Sequence, residues 1–154
     1  GIWSIQVLLS SYWGDFLNLK DFYQLNPKQW DLKKREILEK LALLIRRIHD
    51  TGFYHGDLNL MNILIHPESL QMTLIDFDGS RIFSSLTEKE RWKNLIRLYR
   101  SACKLNYQGK FGKWTQEDTL FFFETYWKGE WTREKIWKEW QKRIRFFWIR
   151  KIFW

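Results

Sequence analysis

Several things are scarce in this sequence. Cysteine occurs once in 154 residues, at Cys103. A disulfide within the chain is therefore excluded, and a cysteine-based zinc site is not expected. Proline occurs twice, and both mark breaks, at Asn26-Pro27 and in the turn His66-Pro67-Glu68-Ser69. No run of 18 apolar residues exists; greasy stretches such as Phe121 to Phe123 and Phe146 to Ile149 are far shorter. A spanning helix is not expected. The opening GIWSIQVLLSSYW has no basic leader and no clear small-residue cleavage site, so it does not read as a signal peptide. Starting at Gly1 rather than Met, the chain reads as a piece of something longer or as a processed product. No repeat period and no low-complexity segment are present.

Apolar residues make up 45% of the chain, enough for a core, and the length suits one domain or one lobe of a larger one. Aromatic residues reach 19%, with 11 Trp, 12 Phe and 6 Tyr, which require a core or a greasy interface. Lys and Arg number 26 against 18 acids, a formal charge of +8, which favours anionic partners.

The patterns predict a strand at 3–9 and a short helix or turn at 15–24. The clearest helix covers 31–50, with Asp31 as its cap. Ile37, Leu41, Leu44, Ile45 and Ile48 fall on one face, and Gly52 stops the helix. Strands at 62–65 and 71–75 form a small hairpin. A loop covers 76–86. Thr87 with Glu90 opens a helix to about Leu105, and Thr115 with Asp118 opens another through Trp127. Thr132 caps a final helix running toward Trp154. His49 is expected at the surface of a helix end, His66 in a turn, and Cys103 as a buried small apolar residue.

The chemistry lies in HGDLNLMNIL at 55–64 and in DFDG, which begins at Asp76, fourteen residues after Asn62. Asp57 stands in a loop, Asn62 enters one hairpin arm and Asp76 leaves the other, so the three gather at one end. Like charges 4 Å apart cost about 4 kcal/mol at an effective dielectric of 20. A divalent cation with oxygen ligands relieves this. Mg²⁺ fits Asn62 and Asp76 as metal residues, which leaves Asp57 to orient a hydroxyl and accept its proton. The order and spacing match the phosphoryl-transfer pattern H-x-D-L-x-x-x-N followed by D-F-x.

Together with LIDFDGSR at 74–81 and WKNLIRLYRS at 92–101, this segment resembles the Kdo/WaaP lipopolysaccharide kinases of Gram-negative bacteria over residues 5–107. The resemblance implies an α+β, mostly helical fold, a protein kinase-like C-terminal lobe with the metal motif on a short β-hairpin. It implies ATP and Mg²⁺ as cofactors and a sugar hydroxyl of the lipid A–core region as acceptor. Asp57 would be the catalytic base, with His55 and Phe77 bracing the loop. Leu64 and Ile75 would floor the adenine pocket, and Leu8 and Leu9 would lie in the hinge. Asp78, in place of the usual Gly, and Arg81 are further site candidates, Arg81 better read as a solvated loop residue. Asn59 replaces a common Lys, which weakens phosphate contact there. No G-x-G-x-x-G and no V-A-I-K-like lysine precede His55, so a single C-lobe without appreciable activity of its own is expected, its N-terminal lobe largely absent. Its parts would be a hinge strand at 1–12, the helix at 31–50, the catalytic loop and hairpin at 53–79, a helical region at 87–128 and a basic aromatic helix at 130–154.

That last segment holds net +5 of the chain's charge. Its stripe of Ile136, Trp137, Trp140, Ile144, Phe147 and Trp148 suits an anionic inner-membrane surface or packing on the lobe, and both readings stand, for different halves. A cytoplasmic protein, peripheral on the inner membrane, follows from the first. Two further readings remain open: another small-molecule kinase of the aminoglycoside or sugar phosphotransferase kind, and a basic aromatic module for single-stranded nucleic acid. The second does not need the D…N…DFD cluster, which weighs against it.

Overall fold

The computed structural model describes residues 14–150, with side chains as far as Arg145. The strand expected at 3–9 and the hinge residues Leu8 and Leu9 lie outside the described residues.

A two-residue strand β1 (Leu17–Asn18) leads directly into helix α1 (Leu19–Leu25), where the Asn18 side chain accepts from the Asp21 amide. Helix α2 (Pro27–Asp50) starts one turn earlier than the sequence suggests. Pro27 occupies its first turn, where a missing N–H costs nothing, and exposed Asp31 is an interior residue rather than the cap. Its buried face carries Trp30, Ile37, Leu38, Leu41, Ala42, Ile45 and His49, while Leu44 and Ile48 are half-buried. Gly52 follows the helix at φ +80°, and a Cβ there would stand 2.0 Å from the Phe83 carbonyl oxygen. Only glycine satisfies both the backbone and that approach.

Strands β2 (Phe53–Tyr54) and β5 (Arg81–Ile82) form one antiparallel pair, Phe53 opposite Ile82 and Tyr54 opposite Arg81. Between them come β3 (Ile63–Ile65) and β4 (Met72–Leu74), the expected hairpin trimmed by about a residue at each end. β1 joins β3 on its other side, giving the order β1-β3-β4.

Helix α3 (Glu88–Tyr107) and helix α4 (Gln116–Tyr126) both begin at complete capping boxes, Thr87 with Glu90 and Thr115 with Asp118. α4 packs along α2, and helix α5 (Arg133–Arg150) packs on α4. The aromatic surplus is absorbed here. Trp127 stacks on Trp131 at 4.4 Å, Trp92 lies 5.9 Å from both, and the Arg143 guanidinium covers the Trp92 ring at 4.8 Å. Ile136, Trp140 and Ile144 are buried, so this half of the tail packs on the lobe. Cys103 is half-buried rather than buried. Among the described residues, no helix is long and apolar enough to cross a membrane.

Candidate active site

His55 organises the site. It is fully buried, and the Asp57 amide donates to its Nδ1 at 3.1 Å. The proton therefore stands on Nε2, which donates to the Ile75 carbonyl at 3.0 Å. Burial holds its pKa below the ordinary histidine value, partly offset by the Ile75 carbonyl and the charge of Asp76. A neutral imidazole thus ties the loop before Asp57 to the strand exit before Asp76. The Phe77 ring meets His55 edge-on at 5.7 Å and Phe53 at 5.6 Å.

Asn59 shapes the loop. Its Oδ1 accepts from the Met61 and Asn62 amides at 2.8 and 3.2 Å, and its Nδ2 donates to the Asp57 carbonyl at 3.1 Å. These bonds cap a single 3-10 turn, Leu60–Asn62. A lysine could make none of the accepting bonds. The Leu60 amide is held from α3, by the Ser101 hydroxyl at 3.1 Å.

Buried Asn62 links the two motifs. Its Nδ2 donates to the Asp57 carbonyl at 2.9 Å and to the Asp76 carboxylate at 3.5 Å, and its backbone carbonyl accepts from the Ile75 amide at 3.1 Å. Asp76 takes a left-handed φ of 59°, a conformation Asp tolerates better than most residues. The Asn62 side-chain amide oxygen and the Asp76 carboxylate are hard oxygen donors, the kind Mg²⁺ takes in ones and twos before phosphate and water complete its shell. Among the described residues no group of three or more His, Cys, Asp and Glu could hold a metal ion.

The Asp57 carboxylate faces α3 instead. Its Oδ1 accepts from Arg97 Nε at 2.8 Å and stands 2.6 Å from Arg97 Nη2. Burial pushes this carboxyl up, but Asn59 and Arg97 outweigh it and hold the pKa below the usual range. Asp57 is ionised at neutral pH.

Leu64 is half-buried in the middle strand, and Ile75 is exposed at the end of β4. Asp78 and Gly79 press on the loop, since a Cβ on Gly56 would lie 2.4 Å from the Asp78 carbonyl oxygen. The Gly56 amide donates to the Ser80 hydroxyl at 3.0 Å. Arg81 is exposed, yet it stands in β5 rather than in a free loop.

Besides Ser101, two α3 residues matter beyond those read from the sequence. Besides Arg97, buried Asn94 accepts from the His55 amide at 3.1 Å and donates to the His55 carbonyl at 2.9 Å. It also meets His49 Nε2 at 3.2 Å, and His49 Nδ1 lies 2.6 Å from the Tyr126 hydroxyl. His49 is thus fully buried, not at the surface. Both α3 residues fall within WKNLIRLYRS, and that quoted motif was their only sequence signal.

The model of the lipopolysaccharide kinase (Kdo/WaaP) family matches residues 8–126. A 3-deoxy-D-manno-octulosonic acid kinase of Xylella fastidiosa (strain M12) is 43% identical over 67 residues, 44% of this chain and 26% of the relative. The lipopolysaccharide core heptose(I) kinase WaaP of Escherichia coli (strain K12) is 26% identical over 120 residues, 71% of this chain and 42% of the relative. A solved structure of WaaP in complex with acyl carrier protein shares the fold, with a TM-score of 0.66 at 22% identity over 84% of this chain and 56% of that one. The matched region is less than two thirds of the length of each of these relatives. The chain belongs to the lipopolysaccharide kinase (Kdo/WaaP) family.

Proposed function

We propose that the chain is the C-terminal lobe of an ATP-dependent kinase acting on a sugar hydroxyl of the lipid A–core region of lipopolysaccharide. The observation that carries this reading is the double bond of Asn62, to the Asp57 carbonyl at 2.9 Å and to the Asp76 carboxylate at 3.5 Å. It couples the loop of the base to the strand exit that carries an acid. Asn62 and Asp76 would hold Mg²⁺, which when bound neutralises phosphate charge and orients the phosphates. Asp57 orients the acceptor hydroxyl and takes its proton. Its depressed pKa keeps it ionised for that task. Neutral His55 and the Phe77 ring keep the two loops in register. Leu64 and Ile75 would lie under the adenine. The whole of 1–154 works as one lobe, and these residues alone turn over little ATP, because no glycine-rich flap or strand lysine among them clamps the phosphates.

The working place is the cytoplasmic side of the inner membrane. Lys135, Lys138, Lys142 and Arg145 recur at three- and four-residue spacing on α5, and all four are exposed. Ile136, Trp140 and Ile144 face the lobe. A basic outer stripe contributes about 1 kcal/mol per residue near an anionic leaflet, which gives reversible attachment.

Titration with ATP, with and without Mg²⁺, tests the reading against the nucleic-acid alternative. Mg²⁺-dependent ATP binding that weakens at least tenfold in Asp76→Asn is expected. ATP binding unchanged by EDTA, or tight single-stranded oligonucleotide binding without nucleotide, contradicts it. Robust ATP turnover by the 154 residues, abolished by Asp57→Asn, would refute their expected low activity.

A further inference from the structure

Helix α3 holds the loop from His55 to Asn62 at three points, in order. Asn94 bonds the backbone of His55, Arg97 bonds the carboxylate of Asp57, and the Ser101 hydroxyl accepts from the Leu60 amide. The three stand three and four residues apart, on one face of the helix. The backbone of Asp57 is fixed separately. Its amide donates to His55 Nδ1, and its carbonyl accepts from Asn59 Nδ2 and Asn62 Nδ2. Only the two side-chain torsions of Asp57 are left to set, and Arg97 sets them. Its Nε and Nη2, two arms of one planar fork, both reach Oδ1, at 2.8 and 2.6 Å. The loop offers the carboxylate no cation of its own. It has no Lys or Arg between 55 and 62, and both polar atoms of the Asn59 side chain are bonded within it. Nor is the pair a core strut. The Arg97 and Asp57 side chains are 53% and 43% exposed, and Arg97 lines an open cleft of about 250 Å³ with the backbone of Gly56 and Gly79. An ion pair so exposed adds little to folding.

We propose that Arg97 is the positioning residue of phosphoryl transfer: it anchors Asp57 by Oδ1 and so leaves Oδ2 as the oxygen that takes the acceptor's proton. This rests on the phosphotransferase reading and adds a residue to its machinery. In the step, the acceptor O–H bond breaks and its proton passes to Oδ2. The electron pair left on that oxygen forms the new O–P bond. The bond from the γ-phosphorus to the bridging oxygen breaks, and its pair leaves with ADP. A carboxylate free to turn about its side-chain torsions would meet the hydroxyl in the right geometry only part of the time. A misplacement of about 1 Å costs about 100-fold in rate. Arg97 touches Asp57 and acts through it, so its effect falls on the transfer step and not on the binding of ATP.

The test is a double-mutant cycle in the full-length protein, following phosphate transfer from ATP to lipid A–core lipopolysaccharide. Arg97→Gln should lower kcat about 100-fold. It should leave KM for ATP within about twofold and move the melting temperature by no more than about 2 °C. In an Asp57→Asn background, Arg97→Gln should cost nothing further, because the carboxylate it serves is gone. Wild-type kcat in Arg97→Gln, or a loss that multiplies with that of Asp57→Asn, overturns the proposal. So does a rise in KM for ATP as large as the fall in kcat, which would place Arg97 on the nucleotide. Transfer undiminished in Asp57→Asn overturns it together with the base it serves. The 154 residues also answer without activity, through the Arg97 Nε–H signal in a nuclear magnetic resonance spectrum. That signal should exchange with water more slowly than those of other exposed arginines, and lose the difference in Asp57→Asn. A signal unchanged by Asp57→Asn overturns the proposal. No transfer by the wild type, with this signal as expected, would instead sink the kinase reading.

Discussion

The side-chain amide of Asn94 makes both backbone hydrogen bonds of His55, accepting from its N–H at 3.1 Å and donating to its carbonyl at 2.9 Å. A side chain on α3 here does what a neighbouring strand would do. It fixes the residue from which the 56–62 loop departs, where β2 has ended and no ladder continues.

Asn94→Leu keeps the volume and removes both partners. It leaves a buried N–H and a buried carbonyl without bonds, each costing about 1–3 kcal/mol. Urea unfolding should show a loss of about 2–6 kcal/mol. A loss under 1 kcal/mol would mean that water or another side chain replaces the amide.

His49 predicts a pH dependence. Burial lowers its pKa to about 4, partly offset by Asn94. The folded state therefore binds this proton more weakly than the unfolded chain, whose histidine titrates near 6.5. Stability is full above about pH 6.5 and falls through the window down to about pH 4, at up to roughly 1.4 kcal/mol per pH unit. Unfolding free energies at pH 7, 6, 5 and 4.5 should decline more steeply in the wild type than in His49→Gln. Parallel curves would contradict a neutral, buried His49.

Gly56 separates the loop that carries Asp57 from the DFDG turn by less than one methyl group. A Cβ there would lie 2.4 Å from the Asp78 carbonyl oxygen and 2.5 Å from the Gly79 carbonyl carbon, all backbone. Gly56→Ala must push the turn outward, at a cost of about 1–3 kcal/mol. It should also weaken Mg²⁺-dependent ATP binding by moving Asp76. Binding and stability both at wild-type level would show that the turn moves freely.

The two faces of α5 separate core from surface. Trp140→Ala removes a side chain only 8% exposed and should cost about 3–5 kcal/mol. Charge reversal at Lys138, Lys142 and Arg145 should leave the melting temperature nearly unchanged and abolish pelleting with anionic liposomes at low salt. Pelleting that survives reversal would place any membrane contact elsewhere. Deleting the segment from Thr132 is a poorer experiment, because it strips Ile136, Trp140 and Ile144 from the core.

What was readable from sequence was local. Thr87 with Glu90, Thr115 with Asp118, and the hairpin flanked by Asn62 and Asp76 depend on residues close in the chain, and each stands where the pattern placed it. The start of α2 was misread because Asp31 is a good cap by type, while Asn26-Pro27 starts the helix by fixed φ alone. The β2–β5 pair has two residues per strand, too short for any alternation. His49 looked polar and terminal; its burial depends on Tyr126, 77 residues away. The Arg97–Asp57 pair spans 40 residues and has no local mark.

The most direct measurement puts Mn²⁺ with ADP in place of Mg²⁺ and records paramagnetic broadening of the backbone amides. Broadening centred on Asn62, Asp76 and Phe77, and lost in Asp76→Asn, is the expected result. Broadening centred elsewhere, or unchanged in Asp76→Asn, would contradict a divalent site at the end of the hairpin and the phosphotransfer chemistry built on it.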